Sequence, residues 1–255
     1  MCILFIAVNE HERYPLIVAA NRDEFFERPT QQSECWHDQP SIIAGRDLQA
    51  GGTWMGINKN GRLSALTNVR DPHRIDPDAR TRGELVSDFL VNHETNSEYL
   101  MRLKRGKEQY NGYNLLFGDW HNLWVYNNHQ DKVEQLGDGV FGLSNADLNS
   151  PWPKINKGVS NLRDYCQLNQ EIDEDILFAL LRDDTQANDE ILPKTGVPIE
   201  WERKLSSIFI KSEEYGTRSS TLLTIDRKNT LHWQERSFDN QGNVFATKNY
   251  KINME

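Results

Sequence analysis

Cys2 is the residue that this chain presents most directly for covalent chemistry. Removal of Met1 would make it the first residue, with a thiol and a free α-amine on one carbon: a nucleophile that carries its own weak base. A compact polar group, Asn21-Arg22-Asp23-Glu24, follows directly on the apolar run Val18-Ala19-Ala20. An arginine close to the thiol would favour its thiolate. Each of these residues also has a plain structural role open to it. Cys2 could be a small buried apolar residue, Asn21 and Asp23 could satisfy backbone N–H groups at a strand end, and Arg22 with Glu24 could form a surface pair worth little.

The elements that must position these groups can be read from periodicity. Met1–Val8 and Val18–Phe25 are apolar and β-prone, and Asn9 to Pro15 between them is turn-like, so they predict a hairpin that sets Cys2 beside the polar group. Phe26 to Pro40 reads as a loop or short helix and Ile42–Asp47 as a short strand. Gly51–Ile57 and Gly61–Asn68 predict a second hairpin, and Asp71–Arg82, with two prolines, a loop. Leu85, Val86, Phe89 and Leu90 repeat at helical spacing, and Leu100 with Leu103 marks a second helix starting near Asn96 or Ser97. Strands are expected at Tyr113–Gly118, Leu123–Tyr126, Val133–Leu136 and Val140–Ser144. Two amphipathic helices follow, one on Ile155, Val159, Leu162 and Cys166, the other on Ile172, Ile176, Leu177, Leu180 and Leu181. Asp183–Trp201 reads as a polar loop and the likeliest mobile segment. Strands at Ile208–Ile210, Ser219–Ile225, Thr230–Glu235 and Asn243–Tyr250 close the chain. Hairpins outnumber strand–helix–strand units, which predicts an α+β fold of antiparallel sheets with helices on their outer faces, as one domain over residues 1–255.

Composition narrows the function. A net charge of −9 over 255 residues argues against general nucleic-acid or anionic-membrane binding. No apolar run approaches the roughly 20 residues of a membrane span, and the opening Ile3–Val8 run lacks the basic flank of a secretory signal. Three cysteines, Cys2, Cys35 and Cys166, suit neither a disulfide framework nor a zinc site, so a cytoplasmic, reducing setting is expected. The seven histidines show no paired ligand spacing and no Cys-x-x-Cys-His attachment, so no metal and no resident cofactor is expected. The basic run Arg102–Lys107 at a helix end reads as a solvated terminus.

Asn21-Arg22-Asp23-Glu24 after a strand, with Cys at position 2, resembles the NRDE family, which includes the transport and Golgi organisation protein 2 group. The resemblance runs through Gly51–Ile57, Ala65–Asn68, Arg82–Val86, Tyr110–Leu115, Gly142–Ala146, Pro151–Lys154 and Tyr215–Arg218, in the family's order and over nearly the whole chain. That family in turn resembles the cysteine-type N-terminal nucleophile hydrolases, such as penicillin V acylase and bile salt hydrolase. The resemblance implies a four-layer αββα sandwich of two antiparallel sheets. It implies Cys2 as nucleophile, Asp23 holding the α-amine, the Asn68 N–H and the Asn145 side-chain amide as oxyanion donors, and Arg218 near the nucleophile. Asn21, Arg22, Glu24 and Trp54 are expected to order or line the site. Those hydrolases carry Arg-Asn-x-Asp on the second strand, whereas here the run is Ala20-Asn21-Arg22-Asp23, the arginine two places on and on the same face by strand alternation.

Two functions follow from the resemblance. One is Cys2-dependent hydrolysis of a non-peptide amide or acyl compound. The other is a carrier of haem or of acyl-CoA or lipid, in keeping with the family's links to haem trafficking and lipid metabolism. In both, the partner is a small molecule.

Overall fold

The computed structural model describes residues 2–254. Its strands are β1 (Cys2–Val8), β2 (Leu16–Phe25), β3 (Thr30–Cys35), β4 (Ile42–Asp47), β5 (Met55–Asn58), β6 (Arg62–Asn68), β7 (Tyr113–Asp119), β8 (Asn122–Asn127), β9 (Lys132–Gln135), β10 (Gly139–Leu143), β11 (Tyr215–Ile225), β12 (Thr230–Phe238) and β13 (Val244–Asn253). The helices are α1 (Gly83–Val91), α2 (Asn96–Gly106), α3 (Pro153–Leu168), α4 (Glu174–Leu181) and α5 (Ile199–Lys204). A six-stranded sheet runs β10-β1-β2-β11-β12-β13 and a seven-stranded sheet runs β3-β4-β5-β6-β7-β8-β9, every pairing antiparallel.

Three apolar clusters mark three interfaces, so the layers number four. Leu4, Ile6, Val18, Ile43, Ile57, Leu63 and Leu223 fill the space between the sheets. Ile3, Phe5, Ile17 and Ala19 pack outward on Ile155 and Leu162 of α3 and on Leu177 and Phe178 of α4. Ile42, Leu115 and Phe117 pack on Val86, Phe89 and Leu90 of α1 and on Tyr99 and Leu103 of α2. Strand alternation explains the sequence pattern: in β1 the odd residues face the helices and the even ones the other sheet. Both faces are dry, so β1 reads as a continuous apolar run although its sheet is antiparallel. The αββα sandwich is the expected architecture. Among the described residues no helix is long and apolar enough to cross a membrane.

The differences from the expected elements lie where polar groups take over from apolar ones. Thr30–Cys35, expected as loop or short helix, is β3, an edge strand with a polar sequence. It is fixed across the sandwich by Glu235 of β12, whose carboxylate accepts from Ser33 N (2.8 Å) and Ser33 Oγ (2.7 Å). Gly51–Trp54 is not strand; β5 begins at Met55. Ile208–Ile210, expected as a strand, is irregular, because its polar backbone groups pair locally: Phe209 N donates to Asp183 O and Ile210 N to Thr217 Oγ1 (2.8 and 2.9 Å). The expected loop Asp183–Trp201 runs into α5 and is pinned by the Arg203–Asp189 ion pair.

Helix α3 approaches β1 so closely that a Cβ at Gly158 would lie 2.0 Å from Phe5 Cζ. Gly158→Val is therefore expected to lower stability by about 1–3 kcal/mol, the cost of overpacking a filled core. Urea unfolding followed by tryptophan fluorescence measures it.

Candidate active site

Cys2 opens β1 with a strand on either side, β2 paired along one edge and β10 along the other. Its side chain shares the inward face with Leu4 and Ile6 and stands directly across from Arg22 in the β1–β2 register. The residue is half-buried and forms part of the wall of a cavity of about 440 Å³ at this end of the sandwich. Arg22, Glu24, Trp54, Leu66 and Asn68 line the same space, and Arg28, Arg80 and Arg82 come to it from the connecting loops.

The four residues of the polar motif have separate tasks. Asn21 is buried and outside this cavity: its Nδ2 donates to Leu181 O and Ile208 O, both at 2.9 Å, and its Oδ1 accepts from Ser220 Oγ at 2.6 Å. It ties the end of α4 and the irregular 205–210 segment to β2, which is a structural role. Arg22 is buried on the opposite face, its guanidinium 4.2 Å above the Trp54 ring and its Nη1 donating to Thr30 Oγ1 at 3.1 Å. Asp23 is buried and accepts from Thr217 Oγ1 at 2.7 Å. Glu24 turns back on its own strand end, accepting from Phe25 N at 2.9 Å. Trp54 belongs to the rim of the inter-sheet core and lies on Gly45, where any Cβ would strike its ring.

Burial pushes the Cys2 thiol up from its usual range. The nearby Asp23 charge acts in the same direction, and Arg22 and a hydrogen bond from the backbone of Asp23 work against it. The Asp23 carboxyl is raised by burial too, against the attraction of Lys154 and the bond from Thr217. Lys154 lies deep under the sheet, its Nζ donating to Leu205 O at 2.9 Å, and burial beside Arg70 lowers it to about 7. A thiol held protonated needs a base before it can attack, and ionisable groups whose burial moves them toward neutrality are those suited to proton transfer.

Asn68 is placed by the β6–β7 ladder. Val69 N donates to Gly112 O, so the next pair inward, Asn68 with Tyr113, is a non-hydrogen-bonded one, and the N–H and C=O of Asn68 point away from β7. Leu66, two residues before, points the same way and donates to Trp54 O, and at Asn68 β5 has already ended. The Asn68 N–H therefore faces the cavity. Its carbonyl accepts from Asn145 Nδ2 at 2.9 Å, so the two asparagines form one unit rather than two independent donors. Asn145 is buried behind Asn68 and is not itself in the cavity wall. Ser144 Oγ is 3.3 Å from the Cys2 carbonyl and 3.0 Å from Asn145 Oδ1, which links the strand of Cys2 to this unit.

Arg218 is set apart from the others. A register break between Thr217 and Ser219 turns it outward, and its Nη1 donates to Phe25 O and Arg28 O, both at 2.8 Å. It fastens the chain as it leaves β2 and does not line the cavity. Sequence reasoning gave no role to Arg82, Arg28 or Lys154. Arg82 and Lys154 stand in the recognised Arg82–Val86 and Pro151–Lys154 blocks, which were the available signal; Arg28 had none.

Comparison with known proteins agrees with the fold. A profile of the family described as Transport and Golgi organisation 2 matches residues 1–240. The chain is 32% identical over 276 residues to the mouse Transport and Golgi organization 2 homolog and 31% identical over 276 residues to the human one, covering 100% of each chain in both cases. The Drosophila melanogaster Transport and Golgi organization protein 2 is 27% identical over 265 residues, with 93% of this chain and 92% of that protein covered. Among solved structures, the Caenorhabditis elegans N-acylethanolamine-hydrolyzing acid amidase ortholog superposes with a TM-score of 0.52 at 13% identity, over 87% of this chain and 92% of that one. A conjugated bile acid hydrolase mutant from Clostridium perfringens does so with a TM-score of 0.52 at 11% identity, over 100% and 98%. At such identities the likeness is one of fold, that of the N-terminal nucleophile hydrolases. By sequence over nearly its whole length, the chain belongs to the Transport and Golgi organisation 2 family.

Proposed function

We propose that the protein is a cysteine-dependent N-terminal nucleophile hydrolase acting on a non-peptide amide or acyl compound. One observation carries the reading: Cys2 heads a strand paired on both edges, with Arg22 across from it and the Asn68 N–H facing the same cavity. The base is the α-amine that removal of Met1 would expose; Met1 itself lies outside the described residues. The amine takes the thiol proton as Sγ bonds to the carbonyl carbon. The Asn68 N–H, its peptide held in place by Asn145 at the Asn68 carbonyl, stabilises the oxyanion. The ammonium then returns the proton to the departing amine, leaving an acyl thioester on Cys2. Water, deprotonated by the same amine, releases the acid and restores the thiol. Asp23 orients the amine. A reducing compartment such as the cytoplasm suits this reading, because the nucleophile is a free thiol.

A panel of acyl amides incubated with the processed protein tests it. Turnover is expected with the native protein, an acyl adduct on Cys2 in the intact mass after rapid quench, and loss of both in Cys2→Ala. Turnover that persists in Cys2→Ala contradicts the mechanism, and so does an absence of turnover with haem or acyl-CoA binding retained in that variant, which is the behaviour of a carrier.

The pH profile gives a second test. Burial keeps the thiol protonated at neutral pH, so the rate follows the neutral fraction of the α-amine, whose ordinary value is about 7.7–8.0. Below that value kcat/KM is expected to fall about tenfold per pH unit, as only the unprotonated amine accepts the proton. A rate that stays flat down to about pH 5 would mark a preformed thiolate and a different base.

A further inference from the structure

The chain is acidic overall, yet four arginines line the Cys2 cavity: Arg22, Arg28, Arg80 and Arg82. Two of them are already neutralised. Arg28 holds Asp47 through Nε (2.9 Å) and Nη2 (2.6 Å), and Arg80 pairs with Glu84 at 2.7 Å. Arg22 and Arg82 are not: among the described residues neither forms an ion pair with a carboxylate. Arg22 stacks on Trp54, donates to Thr30 and feels the charge of buried Glu235; Arg82 donates to the Gly112 carbonyl at 3.0 Å and feels the charge of Glu24. The cavity's own acids point elsewhere, Asp23 to Thr217 and Glu24 to Phe25 N. Arg22 is buried and Arg82 half-buried, and cations withdrawn from water with no acid in ion-pair contact are costly unless something brings an anion. Behind Arg82 the nine-residue helix α1 begins at Gly83 with no side-chain cap, so its first N–H groups and its dipole add to the positive end of the cavity.

Position decides what kind of anion fits. Arg22 stands directly across the ladder from Cys2, and Arg82 lines the cavity that Cys2 walls, so an anion held by the two lies on the same side as the reacting carbonyl. A second cavity of about 250 Å³ adjoins the first through Asn68, Arg82 and Asn111, and Val69, Pro72, Ile75 and Val197 give it apolar walls. A ligand whose carbonyl meets the Asn68 N–H can thus send an apolar chain one way and a compact anion the other.

We infer that the substrate is an N-acyl amino acid, its carboxylate bound between Arg22 and Arg82 and its acyl chain in the cavity beyond Asn68. The cleavage rests on the hydrolase reading above; the binding mode does not. A carboxylate one carbon from the scissile nitrogen matches a pair of cations flanking the nucleophile. The phosphates of an acyl-CoA lie a whole pantetheine arm from the thioester and do not.

Two readouts separate this inference from the reaction itself. In the first, N-octanoylglycine, the uncharged N-octanoylethanolamine and octanoyl-CoA are each tested for protecting Cys2 from alkylation by iodoacetamide, which needs no turnover. N-Octanoylglycine is expected to protect at about 10- to 100-fold lower concentration than the uncharged amide, the worth of a charge-assisted hydrogen bond. Arg82→Gln is expected to bring the two close to parity, and Arg82→Lys to restore part of the difference. In the second, hydrolysis of the same compounds is followed, and the ratio of kcat/KM values is expected to move with the protection ratio. Protection without hydrolysis would leave the anion site standing and overturn only the hydrolase reading. Equal protection by the charged and uncharged amides, stronger protection by octanoyl-CoA, or a preference that Arg82→Gln leaves unchanged would overturn the inference.

Discussion

The structure depends on β1 being enclosed on every side. Its edges are taken by β2 and β10, one face packs on α3 and α4, and the other on the facing sheet. A strand held in this way cannot slip in register without moving a whole set of apolar side chains to the wrong face. The first residue of the strand inherits that rigidity, and in this chain the residue is Cys2. Cys2 is held in the β1–β2 ladder opposite Arg22, with Ser144 Oγ 3.3 Å from its carbonyl, and such a fixed placement is what a reactive side chain needs.

The second constraint joins the two sheets at the same end. Asn114 of β7 donates to Ser144 O (3.1 Å) and Ala146 O (2.8 Å), and Asn127 of β8 backs it through a 2.8 Å bond to its Oδ1. The turn after β10 is thereby anchored to the other sheet, and Asn145 within that turn clasps Asn68. Cys2 comes from one sheet and the Asn68 N–H from the other, so their separation is fixed by these amide bonds together with the apolar core between the sheets. Burial then sets the chemistry: it keeps the Cys2 thiol protonated and makes a neighbouring base necessary.

Much of this was legible in the sequence, for reasons that differ by residue. The inward and outward faces of β1 and β2 follow from apolar content, and the helices from their spacing. Cys2 stood out as a thiol that removal of Met1 would join to a free α-amine, and the run Asn21–Glu24 because polar groups directly after an apolar strand need a reason. What was not legible depends on the third dimension. Asn21 was grouped with the site because it opens the polar run Asn21–Glu24, but its side chain turns away from Cys2 to hold the end of α4. Arg218 was placed beside the nucleophile, and the register break at Thr217 turns it out to bind two backbone carbonyls instead. Arg82 closes a stretch rich in charges and prolines that carries no periodic signal; only the folded loop brings it to Cys2. The polar strand β3 was missed because, besides its pairing with β4, it is fixed by groups far off in the chain: the buried Glu235 carboxylate and Tyr250 both bond Ser33.

The central claim is that Cys2 acts as an N-terminal residue, with its own amine as the base. The intact mass of the purified, untagged protein tests it most directly. The account predicts complete loss of Met1, so that Cys2 carries a free α-amine. Full retention of Met1 in a preparation that still turns over an acyl amide would contradict it, since the amine would then be locked in a peptide bond and could accept no proton.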